Sequence, residues 1–468
     1  MDKKIILFEC NEIPWRILDF YCDRYPQSTL AHLLTQSRQY ETYTEDETSL
    51  SPWKTWPSLH RGVNDRTHLI SDLGDDLTEA NRAYRPVWQI LAESGIRTGV
   101  FGSLHSYPLP TNIDDYDFYV PDTFSKGVDC HPKSLNTFQA FNLRMVQSSS
   151  MNVSRGIPIS AAAHVVAKLP SLGITTRSLA KVGSQLATEM LNSRRKVRRR
   201  TMQSVLAFDI FMKQLKSNKP DFVTFFTNHV ASTMHRFWAA AFPEDYEQSV
   251  YPNEWQHHYA REIEFVMHTL DGFLRSLMNF VHQNPGYSLW LTSSMGQAAT
   301  TPRRIETQLL LHDPKKLFNV LGLNAEDWSR APAMSPNYSF KVAADKANKL
   351  ERSLLQFLIN GEPLSFRRSS ENLFSLDFGH PNLDLSKSAL SINKQSYSFD
   401  AIGLKNTKIE EMCNANAYHI PQGSLAIYEP NSPGTKERPQ ISTLDIAPAL
   451  LANYAIKPPA YMHRAVNI

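Results

Sequence analysis

Cysteine is scarce in this sequence. Only four cysteines occur among the 468 residues, and no two of them form a C-x-x-C pair. They are Cys10, Cys22, Cys130 and Cys413. Disulfide frameworks and thiolate zinc sites need numerous or closely spaced cysteines, so the sequence predicts neither. Scattered reduced thiols are typical of cytosolic proteins, and we therefore expect a cytoplasmic location.

Long apolar runs are also lacking. No stretch approaches the ~20 apolar residues that a transmembrane helix needs, so we expect no membrane span. The apolar run near the start, Ile5–Phe8, is too short for the core of a signal peptide and is followed at once by Glu9. The sequence thus favours a soluble intracellular protein.

Charge of one sign is not in excess. Charged residues make up 20% of the chain and the formal net charge is +3, which is too balanced for a general nucleic-acid binder. One basic run, N-S-R-R-K-V-R-R-R-T at 192–201, could bind an anion or a nucleic acid. We favour the solvated face of a long amphipathic helix, because apolar residues resume at Val205. We expect no nucleic-acid partner.

The sequence contains predicted helical segments that alternate with short apolar strands. A strand is predicted around Ile5–Phe8, and a helix from Val87 stops at Gly95 before the strand Thr98–Phe101. Two more strands are predicted, one ending near Thr227 and one at Tyr287–Leu291. This alternation predicts an α/β fold, a three-layer sandwich with a mostly parallel central sheet.

Two segments interrupt the alternation. We assign 1–125, 200–310 and 401–468 to the α/β core. Residues 126–199 are rich in serine and small residues and are predicted to form a helical insertion. Residues 311–400 are polar and are predicted to form an irregular insertion or cap.

Five motifs occur in a particular order along the predicted core. They are a strand that ends in Glu9, the turn K-T-W-P-S at 54–58, N-H-V-A-S-T-M-H-R-F-W at 228–238, T-S-S-M-G-Q at 292–297, and A-Y-H-I-P-Q-G-S-L-A-I-Y-E-P at 417–430 before T-L-D-I-A-P-A-L-L. In this order they resemble the alkaline phosphatase superfamily, in particular its type I phosphodiesterase/nucleotide pyrophosphatase branch. The resemblance covers most of the chain outside the two insertions and implies an alkaline-phosphatase-like, sulfatase-like fold.

The resemblance also implies a two-zinc site between strand ends. Members hold one zinc ion with an N-terminal acid, the Thr or Ser nucleophile and an Asp-His pair. A second ion is held by an Asp and a His spaced D-x-x-x-H and by a His near the C-terminus. Zinc lowers the pKa of the nucleophile and stabilises charge on the ester oxygens, and a threonine hydroxyl needs such activation.

Four positions match that pattern. The resemblance implies Thr55 as nucleophile and Glu9, His235 and His419 as metal ligands. An alternative for Thr55 is a purely structural role, because threonine is a good helix N-cap. Ser58 and His60 are expected to support the turn, and His60 is a weakly supported candidate base for Thr55.

Three expected ligand positions depart from the pattern. They are Ala231, Ser294 and Met295, none of which offers the expected carboxylate or imidazole. Asn11 and Glu12 flank the position of Glu9, and Asn11, His229 and Ser294 are therefore accessory candidates. For His229 we favour a hydrogen-bonded pocket histidine over a metal ligand. At most one zinc ion is expected to be well held.

Two classes of function follow. The first is a divergent hydrolase or transferase that acts on a phospho- or sulfo-ester through Thr55 and one metal ion. The second is a non-catalytic pseudoenzyme of the same fold that binds a glycan, a nucleotide sugar or a protein partner. A metal-independent enzyme is a third interpretation. In each enzymatic case the expected ligand is a small anionic ester.

Overall fold

The computed structural model describes residues 3–148, 171–331, 333, 337–413, 415–430 and 432–462. Its strands are β1 Lys4–Cys10, β2 Ser37–Tyr43, β3 Thr98–Phe101, β4 Tyr116–Val120, β5 Phe222–Thr227, β6 Tyr287–Thr292, β7 Gly296–Ala299, β8 Thr307–Leu311, β9 Trp328–Ala331, β10 Asn337–Val342, β11 Phe357–Ile359, β12 Glu362–Pro363, β13 Ser365–Ser370, β14 Leu373–Asp377, β15 Leu390–Ile392, β16 Gln395–Ser396, β17 Leu404–Lys408, β18 Ala417–Ile420, β19 Gln422–Tyr428 and β20 Gln440–Ser442. Its α-helices are α1 Trp15–Arg24, α2 Thr29–Thr35, α3 Pro52–Arg61, α4 Asp65–His68, α5 Thr78–Ala83, α6 Val87–Glu93, α7 Asn136–Ser148, α8 Thr176–Leu191, α9 Arg199–Asn218, α10 His229–Ala241, α11 Asn253–Tyr259, α12 Glu262–Gln283, α13 Pro314–Val320, α14 Ala344–Leu354 and α15 Ile446–Asn453. Among these described helices, none has the length and apolar character that a membrane crossing requires.

The central sheet has eight strands in the order β20-β2-β19-β6-β1-β5-β3-β4. β1 pairs in parallel with both β5 and β6. Only β19 runs against its neighbours, β2 and β6, so seven of the eight strands share one direction. The predicted mostly parallel α/β sheet is confirmed.

Helices cover both faces of this sheet. Ile6 and Phe8 of β1 pack in one hydrophobic cluster with residues of α9, α10 and α12. Ile5 and Leu7 pack in another with residues of α3, α6 and α15. A strand buried on both faces needs an unbroken apolar run, which is what residues 5–8 supply. The predicted three-layer sandwich is confirmed.

The two predicted insertions differ in character. In 126–199 the described residues include α7 and α8, while 149–170 lie outside the described residues. The segment 311–400, expected to be irregular, contains the strands β9 to β16 and most of a third hydrophobic cluster, which Leu309 and Leu404 also join. In that cluster Phe340 of β10 pairs with Phe374 of β14, and both are fully buried. Strands of two to six residues separated by polar turns leave little periodicity for a sequence to reveal.

The basic run at 192–201 is not a solvated helix face, which corrects the interpretation that we favoured. Arg195 and Arg198 both form ion pairs with the buried carboxylate of Glu262. Arg199 forms an ion pair with Glu189 at 2.8 Å. These basic side chains bind acidic partners in the same chain, and they thereby fix the start of α9 against α8 and α12.

Candidate metal centre near Thr55

The candidate site lies where three parallel strands of the sheet end. β1 leads into Asn11 and Glu12, β5 leads into Asn228 and His229, and β6 leads into 293–295. Ligands of open α/β sheets bind beyond the carboxyl ends of such strands. The strand order therefore gathers polar residues from three distant parts of the chain at one edge.

Glu12, His235 and His419 form a compact cluster at this edge. Glu12 Oε2 lies 2.9 Å from His235 Nε2 and 3.3 Å from His419 Nε2. One ligand atom from each residue lies within 4.8 Å of the others, and within the described part of the chain this is the single such group of three. The structure thus brings together two of the predicted ligands, His235 and His419, with a third side chain that had been noted only as a neighbour of Glu9.

Both imidazoles are held in place by backbone carbonyls. His235 Nδ1 lies 2.7 Å from the carbonyl oxygen of Ala417, and His419 Nδ1 lies 2.9 Å from that of Leu50. A carbonyl oxygen only accepts, so each Nδ1 carries a hydrogen and donates it. In the neutral form each Nε2 then presents a lone pair, the arrangement found for histidines that bind metals.

Glu12 is held by two side-chain amides. Asn11 Nδ2 donates to its Oε1 at 2.7 Å, and Gln297 Nε2 donates to its Oε2. Gln297 also donates to the carbonyl oxygen of Ala231 at 3.2 Å, the position where the family pattern expects a carboxylate. The backbone of Glu12 has a φ of 58°, in the left-handed region, as the chain turns sharply after β1. The carboxylate of this centre therefore comes from the turn after β1 and not from α10.

The electrostatics of the cluster favour a negative carboxylate beside positive charge. Burial raises the pKa of Glu12, but the charges and hydrogen bonds of His235 and His419 outweigh burial and bring that pKa well below its ordinary value. Burial lowers the pKa of His419, but Glu12 outweighs it and the net shift is upward. Glu12 thus favours the protonated form of His419 when no cation is bound. Metal binding would replace that proton.

The donor set fits one zinc ion. Two imidazoles and one carboxylate are the protein ligands of several catalytic zinc sites, in which a fourth position stays open. The His235 side chain is 25% exposed, so the cluster is reachable from solvent. Zinc held here would supply positive charge to an anionic ester.

Glu9, which the resemblance implied as a metal ligand, does not belong to this cluster. Its Oε1 lies 2.8 Å from His60 Nε2, and both side chains are fully buried. The ring of His60 packs between those of Trp56 and Trp88. Side chains alternate along a strand, so Glu9 points to the same face of the sheet as Leu7, toward α3. His60 is accordingly the partner of Glu9 and not a base for Thr55.

Thr55 lies within α3 and does not cap it, so the N-cap role considered for it is wrong. The N-cap is Ser51, whose hydroxyl accepts from the backbone N–H of Trp53. The hydroxyl oxygens of Thr55 and Ser294 lie 2.8 Å apart, and both side chains are fully buried. The predicted nucleophile is therefore hydrogen-bonded to Ser294, a position where the family pattern expects a metal ligand.

The remaining predicted positions supply no further charge near Thr55. Met295 and Ala231 are fully buried, and neither carries a carboxylate or an imidazole. His229 Nδ1 lies 2.7 Å from Thr227 Oγ1, and burial lowers the pKa of His229 to about 4. His229 is thus a neutral buried histidine outside the cluster, as we favoured.

Sequence reasoning missed two residues of the centre, Glu12 and Gln297. Glu12 could have been identified from the sequence, because a carboxylate directly after a buried parallel strand lies at the ligand-binding edge. Gln297 could not, since its contact with Glu12 depends on the pairing of β7 with β18. That pairing places Gln297 opposite His419.

The chain was compared with known proteins. No protein-family model and no curated protein sequence matches it. Solved structures do match. Murine ectonucleotide pyrophosphatase/phosphodiesterase 5 has 10% identity and a TM-score of 0.42, covering 99% of this chain and 98% of its own. The human protein of that name has 9% identity and a TM-score of 0.40, with 99% and 97% covered.

A mutant of alkaline phosphatase PafA also matches, with 12% identity and a TM-score of 0.45, covering 99% of this chain and 98% of its own.

Proposed function

We propose that this protein is a divergent hydrolase or transferase that acts on a phospho- or sulfo-ester. Glu12, His235 and His419 would hold one zinc ion, and Thr55 would be the nucleophile. The observation that carries the proposal is the convergence of the two Nε2 atoms on Glu12 Oε2, at 2.9 and 3.3 Å. Ester cleavage of this kind depends chiefly on neutralising the charge of the transferring group.

Thr55 is connected to the zinc ligands through its own helix. The Leu50 carbonyl that binds His419 directly precedes Ser51, the N-cap of α3. Trp56, the residue after Thr55, donates from Nε1 to Asn11 Oδ1 at 2.8 Å, and Asn11 in turn donates to Glu12. These bonds support a shared site in which movement of α3 and of the zinc ligands is coupled.

Attack by Thr55 requires its side chain to be uncovered. The Thr55 hydroxyl has no exposed surface and forms a hydrogen bond with the hydroxyl of Ser294. Neither Ser294 nor Met295 can hold a second zinc ion well, because a neutral hydroxyl and a thioether are poor zinc ligands. A single cation would therefore have to activate the Thr55 hydroxyl.

The same burial favours a second candidate function. A non-catalytic relative would keep the cation site and use it to bind a glycan, a nucleotide sugar or a protein partner, while Thr55 and Ser294 serve packing. Both candidates are consistent with a small anionic ligand. The cytoplasmic location and the lack of a nucleic-acid partner stay predictions.

The test combines metal analysis with an activity screen. We would load the purified protein with zinc, remove excess ion, and measure zinc per chain by inductively coupled plasma mass spectrometry. The same sample would be offered 4-nitrophenyl phosphate, bis(4-nitrophenyl) phosphate and 4-nitrophenyl sulfate. About one zinc ion per chain, with 4-nitrophenol release that a chelator stops, is the expected result. Zinc without release would favour the binding protein, and absence of zinc would overturn the one-metal proposal.

A further inference from the structure

A cavity lies apart from the candidate metal centre, bounded by α5, α6, β4 and the loop that follows β3. Its volume is about 370 Å³, a size usual for small-molecule sites. Three aromatic residues line it, Trp88, Tyr116 and Tyr119, each at most 3% exposed. None of the three residues of the metal cluster lines it. The cavity therefore has room for a molecule with a ring and belongs to a different site.

The walls of this cavity carry no negative charge. Among the described residues that line it there is no aspartate or glutamate, whereas Arg82 is one of them. Arg82 is exposed and forms an ion pair with Glu79, so its own charge is largely balanced. The walls would thus not repel an anion.

A buried positive charge lies behind one of these walls. Arg61, the last residue of α3, has no exposed surface, and burial lowers the pKa of its guanidinium to about 10, so it stays protonated at neutral pH. Its Nη2 donates to Asn81 Oδ1 at 2.7 Å. Within the described part of the chain, Nε and Nη1 have no hydrogen-bond partner and no carboxylate forms an ion pair with the group. A buried charge without a counter-ion is costly.

Two residues connect Arg61 to the cavity. Asn81 lines the cavity, and because its Oδ1 accepts from Arg61, its Nδ2 is left to donate. His105 also lines the cavity, and burial together with the charge of Arg61 lowers its pKa to about 4, so its ring is neutral near pH 7. Arg61 is thus close enough to the cavity to stabilise an anion bound there.

The Tyr116 hydroxyl is a further donor without a partner. It is buried, and no described residue forms a hydrogen bond with it. Buried hydroxyls in native proteins are nearly always hydrogen-bonded. Burial raises the pKa of Tyr116, so the hydroxyl keeps its proton and can donate it. A ligand that carries acceptor oxygens would satisfy this hydroxyl.

We propose that this cavity binds a small aromatic carboxylate. The carboxylate would accept from the Asn81 amide and the Tyr116 hydroxyl, and it would balance the charge of Arg61 through Asn81. The ring would pack against Trp88 and Tyr119. A carboxylate carries one negative charge at neutral pH and matches one guanidinium, whereas a phosphate monoester carries nearly two. The binding involves no residue of the metal centre and is independent of the proposed function.

The experiment measures binding of 4-fluorobenzoate to the metal-free full chain by fluorine-19 nuclear magnetic resonance. 4-Fluorobenzamide is the matched neutral compound, since it has nearly the same shape and no charge. It should bind at least about tenfold more weakly, because it cannot form charge-assisted hydrogen bonds or balance Arg61.

Asn81→Asp is the decisive variant, because it places a carboxylate against Arg61 with almost no change in shape. It should weaken binding of 4-fluorobenzoate at least about tenfold and raise the thermal midpoint, since the buried guanidinium gains a counter-ion. Arg61→Met removes the charge and should weaken binding to a similar degree. Arg82→Gln is the control and should change affinity by less than about threefold, because Arg82 is exposed and already paired with Glu79. Circular dichroism would confirm that each variant is folded.

The inference is overturned if 4-fluorobenzoate does not bind, if the benzamide binds as tightly, or if Arg82→Gln weakens binding as much as Asn81→Asp. A lower thermal midpoint in Asn81→Asp would also overturn it, because Arg61 would then not need a counter-ion. If Arg61→Met does not fold, Asn81→Asp still decides the matter. None of these results depends on zinc, so failure of this inference is distinguishable from failure of the proposed function.

Discussion

The hydroxyl oxygens of Thr55 and Ser294 lie 2.8 Å apart, and neither side chain has exposed surface. The two residues are 239 positions apart in sequence and meet because α3 packs over the end of β6. Whether this pair is a resting nucleophile or a packing contact is the central question about the protein.

Replacing Thr55 with Ala should separate these alternatives. If Thr55 attacks the ester, Thr55→Ala should lower turnover by at least about 100-fold, because the nucleophile is lost. Turnover would be followed by release of 4-nitrophenol from the ester that the screen identifies.

Thr55→Ser is the matched control, because it keeps the hydroxyl and the contact with Ser294. It should retain more turnover than Thr55→Ala. Equal turnover in wild type and Thr55→Ala would rule out Thr55 as the nucleophile.

Zinc should depend on Glu12 and not on Glu9. Glu12→Gln should lower zinc to well under about half an ion per chain, because the carboxylate that lies against both imidazoles is lost. Glu9→Gln should leave zinc unchanged, since Glu9 binds His60. Both would be measured by mass spectrometry after the same loading. Loss of zinc in Glu9→Gln with retention in Glu12→Gln would contradict this assignment.

The Glu9–His60 pair should matter for stability. Glu9→Ala leaves His60 Nε2 without its buried hydrogen-bond partner and should lower the free energy of unfolding by about 1–3 kcal/mol. Urea unfolding followed by circular dichroism measures this. Glu9→Gln should cost less, because its amide oxygen can still accept from His60. Similar losses in the two variants would show that the hydrogen bond contributes little.

Stability should fall as the pH drops below about 6.5, partly because of His68. Burial, helped by the nearby charge of Arg61, lowers the pKa of His68 from 6.5 to about 3 in the folded protein. Between these values the unfolded state binds a proton that the folded state does not, so acidification favours unfolding. Between pH 6.5 and 5 this one group should cost the fold about 1–2 kcal/mol.

His68→Gln should flatten that pH dependence, although it loses hydrogen bonds to Ser58 and Ile70 and lowers stability at pH 7. Urea unfolding at pH 7 and pH 5 would give the difference for each variant. The exposed His257, changed to Gln, is the control and should leave the difference as it is in wild type. An unchanged difference in His68→Gln would exclude His68 as a contributor.

Local sequence determined the main elements of the core. The apolar run at residues 5–8 predicts a strand buried on both faces, because only such a strand needs apolar side chains at every position. The strand Thr98–Phe101 was predicted with the bounds that the structure gives it. Hydrophobic periodicity and glycine stops act over neighbouring residues, so they can be detected without tertiary structure. The short strands of 311–400 were not predicted, because each is too short to show a hydrophobic periodicity.

Tertiary structure alone decided which acid joins the histidines. From sequence, Glu9 and Glu12 were both carboxylates near the end of one strand. The alternation of side chains along β1 places Glu9 against His60. The left-handed backbone at Glu12 places the Glu12 side chain against His235 and His419. A local pattern cannot encode this choice, since it depends on which helix covers each face of the sheet and on where a distant strand places its imidazole.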